Sequence, residues 1–447
     1  MAYLERFTLP EKEVKRLMEP VFQFLGRGSS VTLVGVPGTG KTGVIKYVLE
    51  HPTVAKKLLP TYPQDHLLVY LDPAEALDKT PKAFYSYLVT ELLTATLPLA
   101  KLGRELKEAY EHHPPSDRDG ATLFHMAKDM VSIIVQSHDI NLTLIIDDFE
   151  LLSQFPAAIF SSLTSLRRIN NQRITFLLLG SKIPQTEDAL EKFGDFSKVV
   201  FNKIIPLPLY SQTATEATIK QWGKSFGGHL SSTQIQTIIK VCGGHGACLK
   251  SATRLACLKE KVEPQKLEEM LLADTDLFLR IEAIWRFFSN TQKDALQKAL
   301  ASERLTPKEE KDLDLVFGCG LLIRKEDGIQ PFGKVFSAFL ASKPGGFPHL
   351  AYDQKTGEVL VNGTSATDKL TAQEYNLLNF LVAHQNRVCT RDEIAEALWG
   401  GKYHEKYSDW AIDRLTSRLR QKLNLSHKNP YLVTIRGRGY KFILPEL

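Results

Sequence analysis

The chain has 447 residues, of which 43% are hydrophobic and 24% charged, and its formal net charge at pH 7 is +5. A chain of this length is expected to fold as roughly three or four domains, and its composition excludes extensive disorder. The modest positive charge permits an anionic partner without requiring one.

The cysteines and apolar stretches indicate where the protein resides. An odd number of sparse cysteines, without a C-x-x-C pair, predicts reduced thiols. They are Cys242, Cys248, Cys257, Cys319 and Cys389. No apolar run approaches the roughly 20 residues of a membrane helix, and the N-terminus lacks the pattern of a signal peptide. We therefore expect a cytoplasmic protein with no membrane partner.

Apolar runs in the first two hundred residues predict a parallel α/β sheet. An amphipathic helix over 11–26 precedes the short strand "VTLV", and three further strand candidates lie at 66–72, 142–148 and 174–180. Helical segments separate these runs, which is typical of a sheet covered by helices on both faces. The changes of pattern predict an α/β core (1–210), a helical segment (211–270), a region of short helices and a two-stranded turn (271–343), a linker (344–350) and a C-terminal module (351–447).

The segment "GVPGTGKT" matches the phosphate-binding pattern G-x-x-x-x-G-K-[ST] in full and lies between a strand and a helix. Small residues let backbone N–H groups surround phosphates, Lys41 reaches the β- and γ-phosphates, and the Thr42 hydroxyl binds Mg²⁺. The alternative is a glycine-rich turn that binds nothing. The predicted nucleotide-binding residues of this loop are Gly35, Pro37, Gly38, Thr39, Gly40, Lys41, Thr42 and Gly43.

Acids stand at the end of the third predicted strand, in "LTLIIDDFELL". Asp147 is the expected magnesium ligand beside Thr42, and Asp148 or Glu150 is expected to position or polarise water in catalysis. Acids at strand ends are also common as ordinary loop residues, most of all for Asp148.

The next strand and the helix before it add polar candidates. Ser181 ends the strand where a polar group could sense the γ-phosphate. Arg167 and Arg168 end the preceding helix, and Arg168 is a candidate catalytic arginine that reaches a phosphate in its own subunit or in a neighbour. The alternative is that both arginines simply favour the helix dipole.

These motifs, together with "VCGGHGACL", resemble the nucleotide-binding core of AAA+ and STAND-type ATPases over about residues 1–345. The resemblance implies a P-loop NTPase core, a helical lid at 211–270 and a central winged helix at 271–343, with ATP or ADP and Mg²⁺ as cofactors. The family's lid motif usually reads Gly-Gly-x-Pro near the base. His245 stands in that motif here, without the proline, and is included among the nucleotide contacts.

The C-terminal module predicts three helices and a terminal hairpin. Thr371 with Glu374, and Thr390 with Glu393, form capping boxes at the start of the first two helices. The third helix, about 409–423, is apolar on one face. Its opposite face, which carries no acid, consists of Trp410, Arg414, Ser417, Arg418 and Gln421.

The charge of this module favours a nucleic acid. Between residues 401 and 441 there are ten Lys and Arg against three acids, a local net charge of +7. Such a cluster is typical of phosphate binding, although a solvated helix face would look similar. Glycines at the hairpin tip would present Arg436 and Arg438.

Over about 95 residues the module resembles the winged-helix output domain of OmpR/PhoB-type response regulators. The resemblance implies binding of double-stranded DNA, with the third helix in the major groove and Arg436 of the hairpin at the minor groove. That family usually carries a receiver domain where this chain has an ATPase. Nucleotide state therefore replaces phosphorylation as the expected switch.

We therefore expect a nucleotide-switched, DNA-binding transcription regulator, and slow hydrolysis of ATP is left open. The alternative is an ATPase that loads onto or remodels DNA, as initiators and transposition helpers do. A third reading is a permanently bound ADP with a structural role. Self-association through the ATPase is a further expectation.

Overall fold

The computed structural model describes residues 9–59, 65–76, 78–111, 119–183, 187–259, 262–300, 304–325, 328–342, 350–353, 358–361, 364–365, 367–385, 387–400, 409–423, 432–435 and 437–442. The chain divides into two compact units. Unit 1 contains the residues up to Gly227 together with Gly244–Lys250 and Gly318–Gly320, and unit 2 contains the rest. The domain boundaries drawn from the sequence remain predictions.

Unit 1 is built on a five-stranded parallel sheet in the order β2-β3-β4-β1-β5. The predicted α/β core is thus confirmed. Four strands were expected, whereas the short fifth strand was not. The strands are β1 (Val31–Val34), β2 (His66–Leu71), β3 (Asn141–Ile146), β4 (Ile174–Gly180) and β5 (Ile204–Pro206).

Helices cover this sheet, and the apolar strands are buried because both faces are covered. Helix α1, the predicted amphipathic helix, buries six apolar residues between Val14 and Leu25. The helices are α1 (Glu11–Leu25), α2 (Lys41–Glu50), α3 (Pro52–Leu58), α4 (Pro81–Thr96), α5 (Ala100–Glu111), α6 (Gly120–Ser132), α7 (Ala158–Ile169), α8 (Glu187–Phe193), α9 (Asp195–Val200) and α10 (Gln212–Ser225).

The next helices continue the chain into unit 2. Helix α11 packs against α13 and α17, and α14 also contacts α17. Strands β6 (Leu322–Lys325) and β7 (Gly328–Pro331) form the predicted two-stranded turn. The helices are α11 (Ser232–Cys242), α12 (Gly246–Leu258), α13 (Pro264–Leu272), α14 (Thr275–Phe287), α15 (Asn290–Leu300), α16 (Pro307–Gly318) and α17 (Lys334–Ala341).

The C-terminal module of unit 2 is a winged helix, as predicted. Helices α18 (Ala372–Ala383) and α19 (Arg391–Trp399) begin with the two expected capping boxes, and α20 spans Asp409–Lys422. Strands β11 (Val388–Cys389), β12 (Leu432–Ile435) and β13 (Gly439–Phe442) form one antiparallel sheet. The apolar faces of the three helices and the sheet form a separate core.

A second small antiparallel sheet precedes these helices and was not predicted. It consists of β8 (Leu350–Asp353), β9 (Glu358–Val361) and β10 (Thr364–Ser365). None of the helices in the described part of the chain combines the length and the apolar character needed to cross a membrane.

Candidate nucleotide site and nucleic-acid interface

The glycines of the predicted phosphate loop are required by its backbone. Gly38 and Gly40 have φ angles of +84° and +91°, in the left-handed region that side chains disfavour. A side chain on Gly35 would meet the Thr39 hydroxyl and Leu207 at 3.0 Å. The Thr39 hydroxyl itself donates to the carbonyl of Val36 at 2.9 Å, which closes the loop from inside.

Helix α2 begins directly after this loop, with Gly40 as its N-cap. No side chain caps it, and its first turn contains no acid. The first N–H groups of a helix lack partners within the helix and carry partial positive charge, so this end suits an anion. Thr42 and Gly43, both partly exposed, lie in this first turn.

The ammonium of Lys41 is buried at the edge of the loop. It donates to the Gly35 carbonyl at 2.8 Å and to the Ser181 hydroxyl at 3.1 Å. Burial lowers the pKa of Lys41, and the carboxylates of Glu150, Asp148 and Asp147 oppose that shift. Ser181, directly after β4, therefore lies next to Lys41, and its contact with a γ-phosphate stays a prediction.

Asp147 follows β3 and is buried, with both carboxylate oxygens engaged. The Tyr70 hydroxyl donates to its Oδ2 at 2.7 Å, and the backbone N–H of Asp148 donates to Oδ1 at 2.9 Å. A buried carboxylate in a fixed orientation is a suitable ligand for a cation beside phosphates. Tyr70 was missed by the sequence analysis, because a tyrosine in an apolar strand resembles a core residue.

The two candidate catalytic acids have different surroundings. Glu150 accepts hydrogen bonds from the backbone N–H groups of Ser181 and Lys182, the second at 2.8 Å, so it braces the end of β4. Asp148 is exposed and has a φ of +39°, a strained conformation for a residue with a side chain. Although the side chain is exposed, desolvation at this edge raises the pKa of Asp148, and the neighbouring carboxylates of Asp147 and Glu150 raise it further. Of the two acids, Asp148 fits a base better.

The two arginines of α7 lie near the end of the sheet at which the parallel strands begin. Arg167 donates to the carbonyls of Ile174, where β4 begins, and of Gly28, at 3.1 Å. Arg168 is exposed and lies 3.7 Å from Asp195. The phosphate loop follows the opposite end of the parallel strands, about 20 Å away along β4. The expectation that Arg168 reaches a phosphate of its own subunit is therefore wrong, and a role toward a neighbouring subunit stays a prediction.

His245 contacts the phosphate loop itself. Its Nδ1 accepts from the N–H of Cys248 at 3.3 Å, so its Nε2 carries the proton and donates to the Pro37 carbonyl at 2.9 Å. The adjacent N–H of Ala247 donates to the Gly38 carbonyl at 2.9 Å. Both ring nitrogens of His245 thus bind backbone atoms, and the expected direct contact with a nucleotide is replaced by a contact with the loop.

The residues at this edge fit a nucleotide with Mg²⁺. The uncapped start of α2 and Lys41 offer positive charge to phosphates, and the carboxylates of Asp147, Asp148 and Glu150 lie near Lys41. Mg²⁺ is commonly held by one or two protein oxygens together with phosphate oxygens and water. Thr42 and Asp147 would hold the metal, which would neutralise phosphate charge when bound.

Helix α20 presents a polar face to solvent, as the sequence predicts. The apolar residues on the other face are buried in the core of the C-terminal module. The guanidinium of Arg414 lies 4.9 Å from the centre of the Trp410 ring, and Trp410 is 66% exposed. A large aromatic side chain this exposed is unusual unless it contacts a partner. The exposed residues of the face are Trp410, Arg414, Ser417, Arg418 and Gln421.

The tip of the hairpin between β12 and β13 carries Arg438. Gly437 has a φ of +70°, and the N–H of Arg438 donates to the Ile435 carbonyl at 2.9 Å, so the turn is tight. Gly439 is required for a different reason, since a side chain there would collide with the Cys389 carbonyl of β11. Arg438 is exposed, whereas Arg436 lies outside the described residues.

One basic residue of α20 belongs to the core and not to the polar face. Arg420 is 6% exposed and donates to the Leu432 carbonyl at 2.7 Å and to the Thr434 hydroxyl at 2.8 Å. It therefore joins α20 to β12. Arg420 is one of the ten basic residues of the predicted phosphate-binding cluster, because charge alone does not reveal which way a side chain points.

We expect Arg420→Ala to lower the free energy of unfolding of the C-terminal module by about 2–4 kcal/mol, because buried hydrogen bonds of a charged group are lost. Urea unfolding followed by tryptophan fluorescence measures this. The matched control is Arg418→Ala on the exposed face, which should change stability by less than about 0.5 kcal/mol. Equal effects of the two substitutions would contradict this assignment.

Two family models match parts of the chain. Residues 25–184 match the model described as an AAA domain, and residues 366–442 match the model described as "Transcriptional regulatory protein, C terminal". The first contains the phosphate loop and Asp147, and the second contains α18, α19, α20 and the hairpin. The chain therefore combines a P-loop AAA-type ATPase domain with an OmpR/PhoB-type winged-helix DNA-binding domain.

Three similar proteins each match a part of the chain. The transcriptional regulatory protein YclJ of Bacillus subtilis is 38% identical over 90 residues, which are 20% of this chain and 38% of that protein. VxrB of Vibrio cholerae, also a transcriptional regulatory protein, is 40% identical over 93 residues, 21% of this chain and 35% of VxrB. This chain thus spans little more than a third of the length of these relatives. The solved structure of a Walker-type ATPase of Pyrococcus abyssi is also similar. The match includes 74% of this chain and 95% of that ATPase, at 12% identity and a TM-score of 0.44.

Proposed function

We propose that this protein is a transcription regulator whose binding to double-stranded DNA is switched by the nucleotide in its phosphate loop. The exposed face of α20 and the hairpin tip bind DNA, and ATP or ADP with Mg²⁺ occupies the loop between β1 and α2. Slow hydrolysis, with Asp148 as the base, resets the switch.

The contact between α12 and the phosphate loop carries this proposal. His245 and the N–H of Ala247 hold the carbonyls of Pro37 and Gly38, so a change in loop shape acts directly on the start of α12. This helix begins in unit 1 and continues past Lys250 into unit 2, which contains the DNA-binding module. Nucleotide occupancy therefore has a covalent route toward the DNA-binding part of the chain.

The DNA-binding half of the proposal is supported by the chemistry of the exposed face. Arg414 and Arg418 can each donate two hydrogen bonds to a guanine edge, Gln421 can pair with adenine, and Trp410 offers an apolar surface for thymine methyl groups. Ser417 is small enough to let the helix approach the bases. Arg438 at the hairpin tip suits a narrow, negative minor groove.

A selection of genome fragments on the full-length protein tests the proposed function, run with ATP and Mg²⁺, with ADP, and without nucleotide. We expect a short recurrent sequence to be enriched, and the enrichment to differ between the three conditions. Fragments of unrelated sequence, together with hydrolysis stimulated by any DNA, would instead indicate a DNA-loading ATPase. Enrichment that is the same in all conditions would contradict the switch.

A further inference from the structure

Tyr70 is the second-last residue of β2, close to the end of the sheet at which Asp147, Asp148 and Glu150 lie. It lies on β2, which pairs with β3, and its partner across the ladder is Ile145, two residues before Asp147. Its hydroxyl donates to the Asp147 Oδ2 at 2.7 Å. The side chain is half-buried, so the phenol lies at the border between the core and the candidate nucleotide site.

The same ring also faces helix α2. The ammonium of Lys46 lies 5.1 Å from the centre of the Tyr70 ring, in cation–π range. Lys46 follows Thr42 by four residues, so both share one face of α2. Tyr70 therefore contacts Asp147 directly and contacts α2 through Lys46.

We infer that Tyr70 is a positioning residue for the magnesium ligand Asp147. This inference rests on the proposed nucleotide function. The carboxylate of Asp147 has about four lone-pair positions, of which the Tyr70 hydroxyl and the Asp148 N–H occupy two. These hydrogen bonds set the rotation of the carboxylate, so its remaining lone pairs point in one direction before the metal arrives.

In this hydrogen bond the Tyr70 hydroxyl is the donor and the Asp147 carboxylate is the acceptor, which leaves the other lone pairs of the carboxylate for a cation. Residues that orient a metal ligand in this way commonly contribute about 10–100-fold to metal affinity.

The test is the effect of Mg²⁺ on ATP affinity, measured with a fluorescent ATP analogue and the full-length protein in Mg²⁺ and in EDTA. In Tyr70→Phe we expect the gain in affinity that Mg²⁺ gives to fall about tenfold, because only the orienting hydrogen bond is lost. Affinity in EDTA should stay within about twofold of the wild type. Tyr87→Phe is the matched control, since the Tyr87 hydroxyl accepts from the Asp72 N–H at 3.0 Å and does not contact Asp147. Tyr87→Phe should leave the magnesium gain, that is, the increase in ATP affinity caused by Mg²⁺, unchanged.

A double-mutant cycle separates positioning from a general effect on folding. In the Asp147→Asn background, Tyr70→Phe should no longer change the magnesium gain, since the oriented group is already altered. An equal gain in wild type and Tyr70→Phe would overturn the inference, and so would a loss that is the same in Mg²⁺ and in EDTA. A wild-type protein that binds no ATP at all would instead overturn the proposed function.

Discussion

Lys41→Ala is expected to weaken ATP binding roughly a hundredfold, equivalent to about 3 kcal/mol. The ammonium of Lys41 is held at the loop by the Gly35 carbonyl and Ser181, and would form charge-assisted hydrogen bonds with the phosphates. Titration of the fluorescent ATP analogue measures the loss. Because burial disfavours the charge of Lys41, we expect the nucleotide-free variant to melt at or near the wild-type temperature.

Lys56→Ala is the matched control for this prediction. Lys56 is exposed and lies on α3, outside the phosphate loop and the helix that follows it, so ATP affinity should be unchanged. Unaltered ATP binding in Lys41→Ala would contradict the assignment of the phosphate site. Copurified ADP that does not exchange, together with a large drop in melting temperature in Lys41→Ala, would favour a structural nucleotide.

Arg414→Ala and Arg418→Ala are each expected to weaken binding to a selected DNA fragment by about 1–3 kcal/mol if the arginine reads a guanine. Both side chains are exposed on the face of α20 that carries no acid. Fluorescence anisotropy with the selected fragment and with an unrelated fragment measures the effect. If the arginine reads a base, the affinity for the selected fragment should fall more than the affinity for the unrelated one. If it contacts only a phosphate, the two affinities should fall equally.

Arg387→Ala is the control, because Arg387 is exposed on the same module but pairs with Glu393 at 2.7 Å. Its affinity for the selected fragment should match that of the wild type. Normal affinity in both Arg414→Ala and Arg418→Ala would refute the placement of α20 as the recognition helix. In that case the basic cluster would be an ordinary solvated surface.

The sequence predicted those features that depend on local chemistry. The phosphate loop was evident because its glycines, Lys41 and Thr42 have a fixed spacing. The capping boxes at Thr371 and Thr390 predicted where two helices begin, and the period of the apolar residues predicted the exposed face of α20. Each of these signals lies within a few neighbouring residues.

Features that join distant segments were not predictable in the same way. The hydrogen bond between Tyr70 and Asp147 depends on which strands are neighbours in the sheet, and no local sequence pattern predicts that order. His245 looked like a nucleotide contact by family position, but its ring is held by backbone atoms of the loop and of its own helix. Arg168 was placed near the phosphates because the edge of the sheet at which α7 ends was unknown.

The proposed coupling between the phosphate loop and DNA binding is tested by measuring DNA affinity in three nucleotide states. The full-length wild type and Lys41→Ala are titrated onto one selected fragment, at one salt concentration, with ATP and Mg²⁺, with ADP, and without nucleotide. We expect the wild-type affinity to change by about 5–150-fold between nucleotide states, which corresponds to a typical coupling free energy of about 1–3 kcal/mol. Lys41→Ala should show one affinity in all three conditions. A wild type that binds ATP, yet holds the fragment equally tightly in every state, would contradict the proposed coupling.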